Sequence, residues 1–128
     1  MKTTTQTLFI ILTFSYFVSF AQNHKGKCGL EINKAYTQTV LGKNIGYYVE
    51  FQNNGTSEID AIEWTANFYN NFNEFKGKRE GKWSSGNIIK PIKVGDTTKD
   101  LESNWVPEAT KVFITVKRVH FTNNKPCK

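Results

Sequence analysis

Ile45-Gly46-Tyr47-Tyr48-Val49-Glu50-Phe51 decides the fold class of this chain. Ile45, Tyr47, Val49 and Phe51 recur at every second position, with Gly46, Tyr48 and Glu50 between them. A period of two marks a strand with one buried face and one wet face. Asn53-Asn54-Gly55 follows, and Asn-Gly tolerates the positive φ values of a tight hairpin. The next run, Ile62 to Tyr69, alternates again, with Ile62, Trp64, Ala66 and Phe68 directed inward. A helical period instead groups Ile62, Ala66 and Tyr69 on one stripe. The aromatic content, closed by the turn cluster Asn70-Asn71-Phe72-Asn73, favours a strand.

Working outward, Lys111 to Phe121 forms the last long strand. Val112, Ile114 and Val116 share one parity, whereas Val119 and Phe121 fall on the other. A one-residue phase change within a strand is the mark of a β-bulge, expected near Lys117-Arg118. Weaker strands are expected over Gly29 to Tyr36, Phe75 to Trp83, Ile88 to Val94 and Thr97 to Ser103. Pro91 and Pro107 belong at strand ends or edges, because proline donates nothing to a ladder. About seven short strands at turn spacings of roughly 8–12 residues predict an all-β, immunoglobulin-like antiparallel sandwich. No internal repeat or long amphipathic helix interrupts this pattern.

The chain opens with Lys2, a polar Thr-rich stretch and the apolar run Leu8 to Phe20. That is the layout of a secretory signal peptide, with Ser19 and Ala21 at the −3 and −1 positions of a cut before Gln22. The competing reading, a transmembrane anchor, needs about 20 apolar residues, and Thr13, Ser15 and Ser19 interrupt this shorter run. Removal of residues 1–21 from the 128 leaves 107, a length suited to a single domain, 22–128. Without Lys2 the basic count falls from 17 to 16, against 11 acidic residues. Such a mildly basic balance suits anionic polymers or surfaces but is common among soluble domains. Cys28 and Cys127 are the only cysteines, and an even count in a short exported chain predicts a disulfide. It would tie the first strand to the tail of the last, closing the ends of the domain rather than pinning its two sheets together.

Tyr48-Val49-Glu50-Phe51-Gln52-Asn53, Ile59-Asp60-Ala61-Ile62 and Asn67-Phe68-Tyr69-Asn70-Asn71-Phe72, with the closing Val119-His120-Phe121, carry a resemblance. Their order over roughly residues 45–121 resembles small secreted bacterial domains of immunoglobulin-like fold, including the group named for its Phe-x-Leu-Tyr-Asp motif. The resemblance implies a fold and an exported location, and supplies no catalytic residues.

Residue chemistry points away from catalysis. Ser84 and Ser85 lie in a Trp-Ser-Ser-Gly turn without a G-x-S-x-G frame. His24 belongs to the first residues of the mature chain, and His120 should face solvent from its strand. Glu31, Glu50, Asp60 and Glu63 are acids by type alone, and a glycosidase needs two carboxyls facing across a cleft. Neither a histidine cluster nor an acidic calcium loop is present, so no metal or cofactor is expected.

Two surface features stand out instead. Lys76-Gly77-Lys78-Arg79-Glu80-Gly81-Lys82 places four cations on an expected edge hairpin. It reads either as an anion-binding patch or as lysines guarding an edge strand. Trp64 reads as core, whereas Trp83 and Trp105 lie in loop-like surroundings, where they cap the sandwich or meet a partner. The expected function is a non-catalytic, monomeric interaction module, periplasmic or extracellular. It would bind an envelope protein or glycan through Lys76, Lys78, Arg79, Lys82, Trp83 and Trp105. Nucleic acid is not an expected partner, and the mature chain has no expected transmembrane segment. The alternatives are a small extracytoplasmic hydrolase or enzyme inhibitor, and a structural subunit of a surface fibre.

Overall fold

The computed structural model describes residues 24–103 and 106–127; the expected signal peptide 1–21 and Trp105 lie outside the described residues. Six antiparallel strands form two sheets, and no helix occurs among the described residues. They are β1 (Leu30–Val40), β2 (Lys43–Asn53), β3 (Ile59–Tyr69), β4 (Phe75–Ser84), β5 (Thr97–Glu102) and β6 (Lys111–Phe121). One sheet has the order β1-β2-β5 and the other β4-β3-β6. Among the described residues no helix is long and apolar enough to cross a membrane.

Alternation builds the core as expected. Tyr47, Val49 and Phe51 from β2 meet Ile62, Trp64, Ala66 and Phe68 from β3, with Val112, Ile114 and Val116 from β6. The rings interlock across the sheets: Phe51 lies 5.0 Å from Trp64, and Tyr47 meets Phe68 edge-on at 5.4 Å. Trp64 Nε1 donates to the Tyr47 hydroxyl at 2.9 Å, which satisfies the two polar atoms these aromatics carry inward. Burial pushes the Tyr47 hydroxyl pKa well above its ordinary value. Gly81 pairs with Trp64 across β4 and β3, and a Cβ there would sit 2.1 Å from Trp64 Cε2. The indole therefore lies over a β4 position with no side chain to displace it.

The expected bulge is present. Glu63 pairs with Arg118 but Trp64 pairs with Val116, so Lys117 is the extra residue that returns Val119 and Phe121 to the core face.

Several expectations need correction. Ile45 is exposed, because a register shift beside Gly46 turns Asn44 inward in its place. Asn44 satisfies itself there, donating to the Val106 carbonyl at 3.2 Å and accepting from Gly46 N–H at 2.8 Å. Asn53-Asn54-Gly55 is no hairpin, since β2 and β3 belong to different sheets. The fully buried Asn53 instead fastens this crossover, donating to the carbonyls of Ser57 at 2.9 Å and Ile92 at 3.0 Å. A two-residue hairpin forms instead between β1 and β2, where Leu41 (φ 52) and Gly42 (φ 75) supply the two positive φ values of a type I′ turn.

The third correction concerns residues 88–94, which form no strand. Only Ile92 pairs, in an isolated bridge with Ile59. Pro91 lacks the N–H that a longer ladder needs, and Ile88 and Ile89 point to solvent. Pro107 falls in a turn before β6, consistent with its placement off the ladders.

Cys28 and Cys127 are bonded, with Cα atoms 5.6 Å apart and 99 residues between them in sequence. β1 and β6 belong to different sheets, so the bond joins the two sheets at their rim as well as closing the chain, contrary to the expectation that it would close the ends alone. Both cysteines pack against the core. The chain just before Cys28 runs parallel to β6: Lys25 N–H donates to the Ile114 carbonyl at 2.9 Å, and Val116 N–H to the Lys25 carbonyl at 2.8 Å. Ile114 N–H donates to His24 Nδ1 at 3.1 Å.

Candidate functional site

The basic segment forms β4, at the edge of its sheet, as expected. Strand alternation divides its charges. Lys78, Glu80 and Lys82 stand on the outer face, while Arg79 shares the parity of buried Gly81 and Trp83. Acids meet at least two of the segment's four cations. Lys76 lies 3.3 Å from Glu108 and 3.7 Å from Glu74, and Lys82 lies 3.6 Å from Glu63. The Arg79 guanidinium donates to the Lys78 carbonyl at 2.9 Å. Across the same face, Lys117 reaches Glu80 at 3.2 Å and Arg118 grips Glu63 with two bonds of 2.6 Å. These partners hold Glu63 and Glu80 below the usual carboxylate pKa, chiefly through the hydrogen bonds from Arg118 and Lys117. The outer face is a lattice of opposite charges. Trp83 is 9% exposed and belongs to the core, because its strand position turns it inward; it offers no surface ring beside the lysines.

His120 faces outward beside Asp60, with Nδ1 2.5 Å from the carboxylate. That hydrogen bond, and then the charge of Asp60, raises the His120 pKa. His120 borders a depression of about 310 Å³ lined also by Ala61, Ile62, Glu63, Arg118 and Val119. Ser84 is the nearest hydroxyl in register, but Ala61 of β3 pairs with Ser84 on one side and His120 on the other. Two strand spacings, roughly 10 Å, separate them, beyond the hydrogen-bond reach a nucleophile and base require.

The acids singled out by type each have a local partner. Glu31 accepts from Asn54 at 2.8 Å, Glu50 lies 3.7 Å from Lys99, and Asp60 and Glu63 are bound as above. The acidic pair that sequence reasoning missed is Asp100 and Glu102, two apart on β5. Burial, then the hydrogen bond and charge of Asp100, pushes the Glu102 pKa up to about 6. The pair stands two residues apart on one strand, not facing across a cleft as the carboxyls of a glycosidase do. Among the described residues no cluster of three or more His, Cys, Asp or Glu could hold a metal ion.

A different surface gathers where β3 ends and β6 begins. Tyr69 meets Phe75 of β4 at 5.8 Å and Phe113 of β6 at 5.5 Å, both edge-to-face. His24 continues the row, 5.8 Å from Phe113. Phe75 is 58% exposed, and Phe72, at the tip of the β3–β4 turn, is 83% exposed. The turn is held in shape. Asn70 Oδ1 accepts from the N–H groups of Phe72 at 2.9 Å and Glu74 at 3.0 Å. Thr110 donates to Asn71 at 2.9 Å, and Lys111 to Asn73 at 2.8 Å, fixing the tip against the start of β6. This row was legible in part. Phe113, between inward Val112 and Ile114, and Tyr69, after inward Phe68, are aromatics on the wet parity, where polar residues are the norm.

Compared with family models, curated proteins and solved structures, the chain matches none.

Proposed function

We propose that this protein is an exported, non-catalytic interaction module of the cell envelope, binding its partner through the aromatic row Phe75–Tyr69–Phe113 and the projecting Phe72. In this reading residues 1–21 are a cleaved signal, and the mature domain is a monomer related to small secreted immunoglobulin-like domains. Residues 24–27 stand beside β6 where a further strand of such a sandwich would lie. The observation that carries the binding role is the exposure of Phe72 and Phe75 on a hairpin tied down by side-chain hydrogen bonds. Clustered aromatics rimmed by polar residues mark contact surfaces, and a pre-shaped tip loses little freedom on binding. The edge-to-face angles, 69° and 70°, make a ridge rather than a flat platform. A ridge suits an apolar pocket on a protein partner better than the plane of a sugar ring. The disulfide supports the exported setting, since such bonds persist in oxidising compartments.

The immobilised mature domain should retain a discrete component of an envelope extract. The double variant Phe72→Ser/Phe75→Ser should lose at least tenfold of that retention while its melting temperature stays within a few degrees. Equal retention by the variant would overturn the reading, and retention on insoluble envelope glycan alone would transfer it to the carbohydrate.

A further inference from the structure

Between β4 and β5 the chain returns from one sheet to the other through residues 85–96. The base of this loop is fixed. Ile59 and Ile92 exchange both backbone hydrogen bonds, at 3.0 and 2.8 Å, and the Ile92 side chain is buried in the core. Gly95 N–H donates to the Asn53 carbonyl at 2.7 Å, and Asn53 N–H to the Asp96 carbonyl at 2.9 Å. Gly86 N–H donates to the Ile89 carbonyl at 2.7 Å and closes the tip.

What this pinned tip presents is apolar. Ile88 is 94% exposed and Ile89 52% exposed, and Val94 is exposed on the descending limb. Single exposed aliphatics are ordinary, but two adjacent isoleucines at the tip of a fastened loop are not. Lys90 and Lys93 are exposed on either side of the buried Ile92. From Gly81 to Gly95 the charges are Lys82, Lys90 and Lys93, without a carboxylate; Asp96 follows at the junction with β5.

The surface that satisfies this loop must be apolar and anionic at the same place. A protein partner would need an apolar pocket with acids at its rim in register with two lysines. An anionic bilayer has both properties over its whole area, because phosphates overlie acyl chains. We propose that the 85–96 loop docks the protein on an anionic phospholipid surface, with Ile88 and Ile89 entering the acyl boundary and Lys90 and Lys93 at the phosphates. β3 runs eleven residues from Ile59, beside the loop base, to Tyr69 in the aromatic row. At about 3.3 Å per residue that is roughly 35 Å, so docking at one end holds the aromatic row away from the membrane.

The test is co-sedimentation of the mature domain with vesicles of phosphatidylglycerol and phosphatidylcholine, against vesicles of phosphatidylcholine alone. Partitioning should be at least tenfold stronger on the anionic vesicles. Ile88→Asp/Ile89→Asp and Lys90→Glu/Lys93→Glu should each reduce it at least tenfold, with unchanged near-UV circular dichroism. Lys34→Glu/Lys78→Glu makes the same charge change elsewhere on the exposed surface and should retain most of the binding. Phe72→Ser/Phe75→Ser should bind vesicles like the parent, which separates failure of this proposal from failure of the partner-binding reading. Absence of binding to anionic vesicles, equal binding to both, persistence in the double aspartate variant, or equal loss with Lys34→Glu/Lys78→Glu would each overturn it.

Discussion

At Gly81 a single hydrogen decides whether Trp64 fits. The indole occupies the space a β-carbon would take, at 2.1 Å, and both residues are buried. Gly81→Ala should therefore lower stability by about 1–3 kcal/mol, the usual range for forcing extra volume into a packed core. A urea titration reads this as a fall in midpoint at constant slope. The glycine stands inside a run of cations, and only its pairing with Trp64 shows its role. Asn44 and Asn53 teach the same lesson. Both are polar letters beside apolar alternation, yet both are buried, because each satisfies backbone groups at a crossing. Nothing in the residue type announces a partner 39 or 62 positions away.

At the scale of elements, β6 carries one inserted residue. Deleting Lys117 would leave a regular strand with Val119 and Phe121 still inward. Inserting one residue after Arg118, past the bulge, would instead reverse the parity beyond it and turn both toward solvent. Two buried side chains at about 1.5–3 kcal/mol each put the expected loss at roughly 3–6 kcal/mol. Deletion of Lys117 should cost far less than that insertion, and paired thermal melts compare the two. The free edge of β6 has its own pH dependence. Because Ile114 N–H donates to His24 Nδ1, that nitrogen must be unprotonated, and burial lowers the His24 pKa below its ordinary 6.5. A depressed histidine pKa means the stabilisation is present above 6.5 and is lost as the pH falls through the folded-state value. Acidification should therefore speed amide exchange at Ile114 and Val116, after correction for intrinsic rates, and His24→Ala should abolish that extra pH dependence. His120 has the opposite sign, since Asp60 raises its pKa; its contribution is full below 6.5 and fades as the pH rises through the folded value.

For the whole molecule, the rim bond between Cys28 and Cys127 spans nearly the entire described chain. Cross-linking about 100 residues is worth up to ~4.7 kcal/mol by loop entropy, with typical yields of about 2–4 kcal/mol. Cys28→Ser/Cys127→Ser should lose that amount and lower the melting temperature on the order of 10–20 °C, with the β-sheet circular dichroism preserved at low temperature. Unfolding to a coil would instead make the bond a condition of folding. At this scale the two proposed contact surfaces occupy opposite ends of β3, an arrangement suited to a protein that faces a membrane with one end and a partner with the other.

The period-two alternation determined the all-β class, most strand positions, the bulge at Lys117 and the inward set of β2, β3 and β6. It could do so because side-chain parity is a local property of extended backbone. The cysteine count likewise anticipated the single bond. Tertiary structure alone decided which strands share a sheet. It made Asn54-Gly55 a crossover and Leu41-Gly42 a hairpin, reduced residues 88–94 to one bridge at Ile92, and drew Trp83 inward. It also set Lys76 and Lys82 against acids outside β4 and assembled the aromatic row from three strands and the N-terminal segment. Those outcomes depend on pairing between distant segments, which the spacing of residues along one strand does not encode.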